Sequence, residues 1–515
     1  MNSNSSIDYK YGLGKHIISE RDFFPVNKKF ILTIDEGTSR CKTALWDRDG
    51  YMSGITAMEI PSTYPRAGEM EQDPEAILDV VKICSRETLA KSGHDIEEVE
   101  AIGITNQRET TVLWDIRTGT PLYNAIVWQD RRGESVLRKL HEGERSFIKS
   151  VTGLIPDPYF SVSKIKWILE NRIGSHNVED IAFGTIDSWL IWNLSRNHAH
   201  ISDSTNASRT MIYDIRKNEW SHELMDFFNV PESILPEIVD SASADLATIS
   251  EFGAEVPLRS IAGDQQASLF GHGAFDAGDA KCTYGTGSFV LMNSGRRMDM
   301  KQNLLTSVGW KFEGLSPEFC IEGSSFNTGS VIKWIRDGLK LIGTTEESED
   351  AAKMSSRDHG LIFVPALAGL GAPFWHPSAR GTIFGITAKT TPNDIIRSAL
   401  ESIAFRIRDI FDEMASQGGK TSEEIMVDGG PTQNNFLMQF QADILGMKIY
   451  RSLNSEITSA GVAFMAGIVS DWWSRMEVKR LKKYDKPFIP DITREDADKL
   501  YSAWRKSIKS VISHY

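Results

Sequence analysis

An acidic residue lies among small and apolar residues in the segment from Ser260 to Phe270. Asp264 stands after an apolar run and before Gln265 and Gln266, a pattern typical of a buried strand that leads into a helix. Burying an unpaired carboxylate is costly, and Gly263 would let another molecule approach the backbone. The pattern predicts a carboxylate that accepts a proton, beside amides that fix a polar substrate. The alternative is a helix N-cap, a common place for aspartate.

Glycine-rich turns follow apolar, strand-like segments at three places, and in such turns backbone N–H groups and hydroxyls can hold phosphate while an acid orients a metal. One such turn alone is also compatible with an ordinary Asx turn. Three of them, spread over both halves of the chain, favour phosphate binding. They are Asp35-Glu36-Gly37-Thr38-Ser39, Tyr284-Gly285-Thr286-Gly287-Ser288 and Val427-Asp428-Gly429-Gly430-Pro431.

Familiar nucleotide motifs are absent from the sequence. It contains no Gly-x-x-x-x-Gly-Lys-Ser/Thr, no complete Gly-x-Gly-x-x-Gly and no pair of His-Arg-Asp and Asp-Phe-Gly motifs. A nucleoside triphosphate would therefore require another architecture.

Polar and aromatic residues that suit a small polyol occur in the first half of the chain. Arg108 and Glu109 follow a strand-like run and offer a donor fork beside an acceptor, although a surface ion pair worth about 0–1 kcal/mol is the alternative. Trp128 lies in the strand-like segment Asn124–Asp130, where a core position is the commoner role. Tyr159, in Asp157-Pro158-Tyr159-Phe160, is equally open to both interpretations.

The composition limits the class of protein. The chain has 515 residues, 41% hydrophobic and 25% charged, with a net charge of -13. This acidic balance argues against a nucleic-acid surface. The four scattered cysteines predict neither zinc nor disulfides and fit a reducing, cytoplasmic location. No apolar run is long enough for a transmembrane helix, and residues 1–29 lack a signal-peptide core, so they are predicted to be a tail or surface extension.

The order of predicted elements indicates two related α/β domains. An antiparallel meander opens the chain, with a hairpin turn at Asp49-Gly50. A helix over 74–92 follows, with Asp73 as its N-cap. A second hairpin surrounds residues 284–288. We predict a domain over 30–272, a domain over 273–515 and a ligand cleft between them.

Longer runs carry a family resemblance, and the chain from Phe30 to about Trp504 resembles the FGGY carbohydrate kinases. The runs that carry it are Ile102 to Thr111, Tyr123 to Gln129, Gly153-Leu154, Asp157 to Ser161, Thr205 to Met211, Ala262 to Gln266, Tyr284 to Gly287, Gly369 to Trp375, Asp428 to Gly430 and Asn434 to Gln441. The resemblance implies an actin-like ATPase fold of two ribonuclease-H-like domains with a central interdomain cleft. It also implies MgATP-dependent phosphorylation of glycerol to sn-glycerol 3-phosphate, with release of ADP.

The same resemblance assigns roles to residues by motif position. Asp264 would be the general base, and Asp35 would orient Mg²⁺. The glycerol hydroxyls would be bound by Arg108, Glu109, Tyr159, Asp264 and Gln265, with Trp128 and Phe289 against the carbon skeleton. The nucleotide would be held by Thr38, Ser39, Lys42, Thr286, Gly329, Lys333, Gly430 and Asn434. Glycerol and ATP are thus the predicted partners, and the predicted assembly is a homo-oligomer, either a dimer or a tetramer.

Departures from the family pattern concern the phosphate turn and a regulatory segment. Glu36 replaces the usual glutamine and is expected to add negative charge near the phosphates, while Lys42 replaces an arginine and lacks its bidentate fork. Lys333 replaces a glutamine. The short segment 251–258 lacks the Gly/Arg-containing loop of members inhibited by fructose 1,6-bisphosphate, so no such inhibition is predicted.

Two rival functions stay open at this point. One is a related kinase for another polyol or a ketose, which would need a roomier pocket. The other is an actin-like binding module with a vestigial ATPase, in which Asp264 would be dispensable.

Overall fold

The fold is known from a computed structural model that describes residues 28–298, 300, 303–416 and 422–515. Most of the predicted extension, residues 1–27, lies outside this range. Within the described residues, no helix is both long and apolar enough to cross a membrane. The four cysteines are free and buried.

Strands supply two large sheets and several short pairs. They are β1 (Phe30–Glu36), β2 (Arg40–Asp47), β3 (Met52–Glu59), β4 (Glu71–Gln72), β5 (Val99–Asn106), β6 (Val112–Asp115), β7 (Ala125–Ile126), β8 (Ile181–Gly184), β9 (Ile201–Asp203), β10 (Tyr213–Asp214), β11 (Glu219–Trp220), β12 (Glu237–Val239), β13 (Ala242–Ile249), β14 (Val256–Gly263), β15 (Ala280–Tyr284), β16 (Ser288–Gly295), β17 (Leu305–Trp310), β18 (Glu318–Ser325), β19 (Ile362–Val364), β20 (Thr382–Phe384), β21 (Glu424–Asp428) and β22 (Lys448–Arg451).

The α-helices of the described residues follow in chain order. They are α1 (Pro74–Ser92), α2 (Glu134–Leu137), α3 (Glu142–Thr152), α4 (Ser161–Asn171), α5 (Ile186–Leu194), α6 (Ser204–Ala207), α7 (His222–Phe228), α8 (Asp264–Gly271), α9 (Gly329–Asp337), α10 (Glu347–Met354), α11 (Pro392–Ser416), α12 (Asn435–Leu445), α13 (Ile457–Val469), α14 (Arg475–Leu481) and α15 (Arg494–His514).

The first sheet has the order β13-β14-β5-β1-β2-β3. Strands β1, β2 and β3 form the predicted antiparallel meander, and β5 runs parallel to β1 on its other side. Helix α1 has the predicted bounds, because the Asp73 carboxylate accepts a hydrogen bond from the Glu75 N–H and Gly93 ends the helix with a φ of 72°. Its apolar residues Ile77 and Val81 are buried against this sheet.

The second sheet has the order β17-β18-β16-β15-β21-β22 and repeats the pairings of five strands of the first. The sixth strand differs, because β17 lies beside β18, at the edge opposite to that of β13 in the first sheet. Strand β15 is antiparallel to β16, which pairs with β18, while β21 is parallel to β15 on the other side. This repetition confirms the prediction of two related α/β units. Both sheets end their central strands at glycine-rich turns, as the sequence predicts.

Helix α13 comes late in the chain but packs on the first sheet, against β1 and β5 and alongside α8. The two helices approach closely, since a Cβ at Gly461 would lie 1.9 Å from the carbonyl oxygen of Ala267. Only glycine permits that separation. The tight contact fixes α8, whose first residue is Asp264.

Candidate active site

Three strand ends carry the predicted phosphate turns. The first turn follows Glu36 at the end of β1, the second joins β15 to β16, and the third follows Asp428 at the end of β21. Gly429 has a φ of 96°, and a Cβ there would lie 2.0 Å from the Tyr284 carbonyl oxygen. The second and third turns therefore touch, which the sequence could not show.

A cavity of about 490 Å³ opens beside those two turns. Its polar part is formed by turn residues, by the starts of α9 and α12 and by residues at the start of α10, among them Glu346 and Glu349. Ile332, Leu400 and Leu437 supply an apolar wall. Backbone N–H groups at turns and helix starts suit phosphate, and the apolar wall suits a base. Five residues predicted to hold the nucleotide line it: Thr286, Gly329, Lys333, Gly430 and Asn434.

Asp264 lies at the first position of α8, with Gly263 as the N-cap. The interpretation of Asp264 as the N-cap is therefore wrong. Its Oδ1 lies 3.3 Å from Nε of Arg108 and accepts from the backbone N–H of Gln265 at 2.7 Å, and 29% of its side chain is exposed. Gly263 makes room for the stem of Arg108, whose Cγ would lie 2.6 Å from an added Cβ, and not for a ligand as expected.

Arg108 and Glu109 do not pair with each other but join a fully buried ion cluster with Arg209 and Glu322. Glu322, from β18, accepts from Nη1 and Nη2 of Arg108 at 2.7 and 3.2 Å and from Nη2 of Arg209 at 3.1 Å. Nε of Arg209 donates to Glu109 Oε1 at 2.5 Å. Burial raises the pKa of Glu322, but the two guanidiniums outweigh it and hold that pKa at about 2. The alternative of a surface ion pair is wrong.

Glu109 adopts a backbone conformation that is rare for its type, with a φ of 61°. Its carbonyl oxygen accepts from the hydroxyls of Thr111 and Ser161, and its carboxylate is held by Arg209. Burial raises the pKa of Glu109 despite the two arginines. The surrounding bonds hold the strained residue in place.

Aromatic side chains from both halves of the chain meet at Trp128. The ring of Trp128 is contacted by Tyr159 at a centroid distance of 5.5 Å and by Phe289 at 6.2 Å, both nearly edge-on. Trp128 is half-buried and follows the short strand β7, so neither a core role nor a strand position is correct for it. Its indole Nε1 donates to Thr38 Oγ1 over 2.8 Å.

The first turn holds Thr38 half-buried and Ser39 exposed. Lys42 lies in β2, directly across from Asp35, and donates to Glu456 over 2.7 Å. Its charge is therefore already balanced by a carboxylate.

Glu36 is fully buried, and its Oε1 accepts from the Gln107 amide over 2.9 Å. Burial raises the pKa of Glu36 well above its ordinary value. The sequence predicts that Glu36 adds a negative charge near the phosphates. Burial opposes this, because it disfavours the charged form of the carboxyl.

Asp35 is the predicted metal-orienting residue. Burial raises its pKa to about 7, Lys42 opposes the rise, and Glu456 and Asp264 add to it. A divalent cation would relieve this excess of carboxylates. Among the described residues, no group of three or more His, Cys, Asp or Glu side chains could hold a metal by itself. The site fits Mg²⁺ that arrives with a nucleotide, because such ions use one or two carboxylates together with phosphates.

Sequence reasoning missed three buried charges, Arg209, Glu322 and Lys281. Lys281 Nζ donates to Gln265 Oε1 over 2.6 Å. Glu322 and Lys281 each interrupt an apolar strand, which is the same signal that singled out Asp264. This pattern could have identified Glu322 and Lys281 from the sequence, but not the residues with which they pair.

Two sheets that share the pairings of five strands, with glycine-rich turns at their strand ends, define an actin-like ATPase fold. The N-terminal domain model of the FGGY family of carbohydrate kinases matches residues 30–271, and the C-terminal domain model matches residues 280–470. The chain belongs to the FGGY family of carbohydrate kinases.

Within this family, the chain is similar to proteins named glycerol kinase. A glycerol kinase of Saccharolobus islandicus is 46% identical over 489 residues, covering 94% of this chain and 97% of the relative. Glycerol kinase 2 of Saccharolobus solfataricus is 44% identical over 93% of this chain and 97% of its own. The crystal structure of Plasmodium falciparum glycerol kinase with ADP has a TM-score of 0.88 at 33% identity, covering 94% of this chain and 98% of that one.

Proposed function

We propose that this protein is an ATP-dependent kinase that phosphorylates glycerol to sn-glycerol 3-phosphate and releases ADP. The observation that carries the proposal is the position of Asp264. Its carboxylate is partly exposed, it is held by Arg108, and the aromatic cluster of Trp128, Tyr159 and Phe289 supplies an apolar surface for a small carbon skeleton. The similarity to named glycerol kinases supports the same substrate.

Asp264 acts as the general base in this proposal. It accepts the proton of the primary hydroxyl as that oxygen bonds to phosphorus, a role typically worth about 10²–10⁴-fold in rate. Because phosphoryl transfer passes through a loose transition state, positioning and charge neutralisation supply most of the remaining acceleration. The fixed contacts of Asp264 with Arg108 and Gln265 suit such positioning.

Substrate choice follows from the polar groups around Asp264. Arg108, Glu109, Tyr159 and Gln265 bind the glycerol hydroxyls, and Trp128 and Phe289 contact its carbons. A site that bonds each hydroxyl rejects analogues that lack one, because its own polar groups are then left unpaired. A ketose would require a roomier pocket than glycerol.

ATP occupies the cavity beside the second and third turns. Gly329, Lys333, Gly430 and Asn434 hold the nucleoside part, while Thr286 and, from the first turn, Thr38, Ser39 and Lys42 contact the phosphates. Mg²⁺, when bound beside Asp35, neutralises part of the phosphate charge. The units 30–272 and 273–515 are the proposed domains, and their closure over the cleft excludes water.

A substrate panel tests the proposal. The purified full-length protein is given MgATP with glycerol, dihydroxyacetone or pentuloses, and ADP and glycerol 3-phosphate are measured. Glycerol should give the highest kcat/KM. A higher value for a pentulose would assign the protein to another FGGY substrate.

The Asp264→Asn variant separates an enzyme from a binding module. It should fold normally, as judged by circular dichroism, and lose turnover with glycerol. Full ATPase and kinase activity in this variant would refute the role of the base.

The assembly and location of the protein complete the proposal. A cytoplasmic homo-oligomer, either a dimer or a tetramer, is proposed. Light scattering coupled to size-exclusion chromatography measures the mass directly, and a monomer at all concentrations would contradict it.

A further inference from the structure

Lys281 is a fully buried cation beside the candidate base. It lies on β15 of the second sheet and has no exposed surface. Its ammonium donates to Gln265 Oε1 over 2.6 Å and to Thr283 Oγ1 over 2.7 Å. A buried ammonium is costly unless its donors are used, and these contacts use two of the three.

The Gln265 amide lies between Lys281 and Asp264. Its Oε1 accepts from Lys281, and its Nε2 donates to Asp264 Oδ2 over 3.1 Å. An ammonium can only donate, and an ionised carboxylate can only accept. The amide therefore has a single orientation that satisfies both neighbours.

On its other side, Lys281 is linked through Thr283 to a second carboxylate, that of Asp428. The Thr283 hydroxyl accepts from Lys281 and donates to Asp428 Oδ2 over 2.9 Å, and Nε2 of His272 contacts the same oxygen at 2.8 Å. One hydrogen-bonded chain thus runs from Asp428, at the third glycine turn, through Lys281 to Asp264. Its donors all point away from the lysine.

We propose that Lys281 is a positioning residue for the general base, and that it acts through the Gln265 amide. This inference rests on the proposed role of Asp264. Without the Lys281 ammonium, Gln265 Oε1 loses its charged donor, and only the contact of Nε2 with Asp264 holds the amide. The amide is then less firmly fixed, and the Asp264 carboxylate loses the support that keeps it where it meets a substrate hydroxyl.

A double-mutant cycle tests the route through Gln265. Lys281→Met, which keeps an apolar stem, and Gln265→Ala are measured singly and together with glycerol and MgATP. Lys281→Met alone should lower kcat on the order of 10- to 100-fold, the range for losing a hydrogen bond to a charged group. The KM for ATP should change by less than about 2-fold, since the lysine does not line the nucleotide cavity.

The decisive value is the effect of Lys281→Met in the Gln265→Ala background. It should fall below about 2-fold, because the amide through which the lysine acts is gone. An equal loss in both backgrounds would overturn the proposal and leave Lys281 with a purely structural role. If Lys281→Met fails to fold, Lys281→Gln replaces it in the same cycle, with the same two outcomes.

Lys164 provides a matched control. It is also fully buried, but it donates to backbone carbonyls and not to Gln265. Lys164→Met should have equal effects in both backgrounds. An inactive wild type would contradict the proposed function, whereas an active wild type with additive Lys281 effects would contradict only this inference.

Discussion

Glu322 and Arg108 form a bidentate ion pair that joins the second sheet to the candidate polyol site. The two contacts measure 2.7 and 3.2 Å, and both side chains are fully buried. Glu322 also binds Arg209, so one carboxylate holds two guanidiniums. The residue that orients Arg108 thus comes from 214 positions away in the chain.

Replacing Glu322 by glutamine should destabilise the protein and weaken glycerol binding. Arg209 would keep only Glu109 and Arg108 only Asp264 as an ion-pair partner, and breaking a buried pair costs about 3–5 kcal/mol. Urea denaturation measures the free energy of unfolding, and steady-state kinetics measures the KM for glycerol. Unchanged stability together with an unchanged KM would show that the pair is dispensable.

The bond from Trp128 to Thr38 connects the aromatic cluster with the first predicted phosphate turn. An indole N–H can only donate, so the Thr38 hydroxyl accepts from it and keeps its own proton for another acceptor. Trp128→Phe removes this bond and preserves an aromatic ring. The KM for ATP should rise about 2- to 10-fold, the range for one neutral hydrogen bond. A rise confined to the KM for glycerol would contradict this link.

Lys164 holds the backbone around Tyr159. Its ammonium donates to the carbonyl oxygens of Pro158, Tyr159 and Phe160 at 2.9, 2.5 and 3.3 Å. Lys164→Met leaves these carbonyls without their donor, at about 1–3 kcal/mol for each unsatisfied group. We expect a lower melting temperature and a raised KM for glycerol, because Tyr159 is no longer fixed. An unchanged KM in a folded variant would separate this loop from the substrate.

Burial of Lys164 also predicts that the stability of the protein depends on pH. Desolvation lowers the pKa of Lys164 to about 7, whereas an unfolded lysine titrates near its ordinary value of 10.5. Between these values the unfolded chain binds more protons, so the contribution of this group to stability rises with pH. The melting temperature of wild type minus that of Lys164→Met should increase from about pH 7 to about pH 10. A constant difference would contradict the shifted pKa.

Burial of Glu36 predicts the opposite dependence of stability on pH. Burial raises its pKa above 4.5 in the folded protein, so above that pH the folded chain retains a proton that the unfolded chain has released. The contribution of this group to stability therefore falls as pH rises. Glu36→Gln cannot lose a proton, and its melting temperature should exceed that of wild type by a margin that grows with pH.

The same variant tests the nucleotide affinity. Glu36 is buried and its carboxyl already accepts from Gln107, so the KM for ATP of Glu36→Gln should stay close to that of wild type. A large decrease would indicate that Glu36 is ionised and repels the phosphates, as the sequence suggested.

Fructose 1,6-bisphosphate should not inhibit the enzyme. The turn between β13 and β14 spans only residues 250–255, and it offers no added loop for the bisphosphate. Activity is measured at saturating MgATP with increasing bisphosphate. A dose-dependent loss of activity would refute the prediction.

Local sequence patterns determined the elements and the turns that are predicted to bind phosphate. The meander from β1 to β3, helix α1 with its Asp73 cap and the three glycine turns depend on residues within a few positions of one another, where backbone propensity and capping act. The family resemblance added residues such as Thr286 and Asn434, which line one cavity.

Only the tertiary structure decided which side chains from distant segments meet. Trp128 had the pattern of a core residue, yet it lies half-buried against Tyr159, Phe289 and Thr38. Glu322 and Lys281 reach Arg108 and Gln265 from strands of the other sheet. A sequence shows that an isolated charge in an apolar strand requires a partner, because burying it unpaired is costly. It does not show which partner, since that depends on how two sheets formed by distant segments pack together.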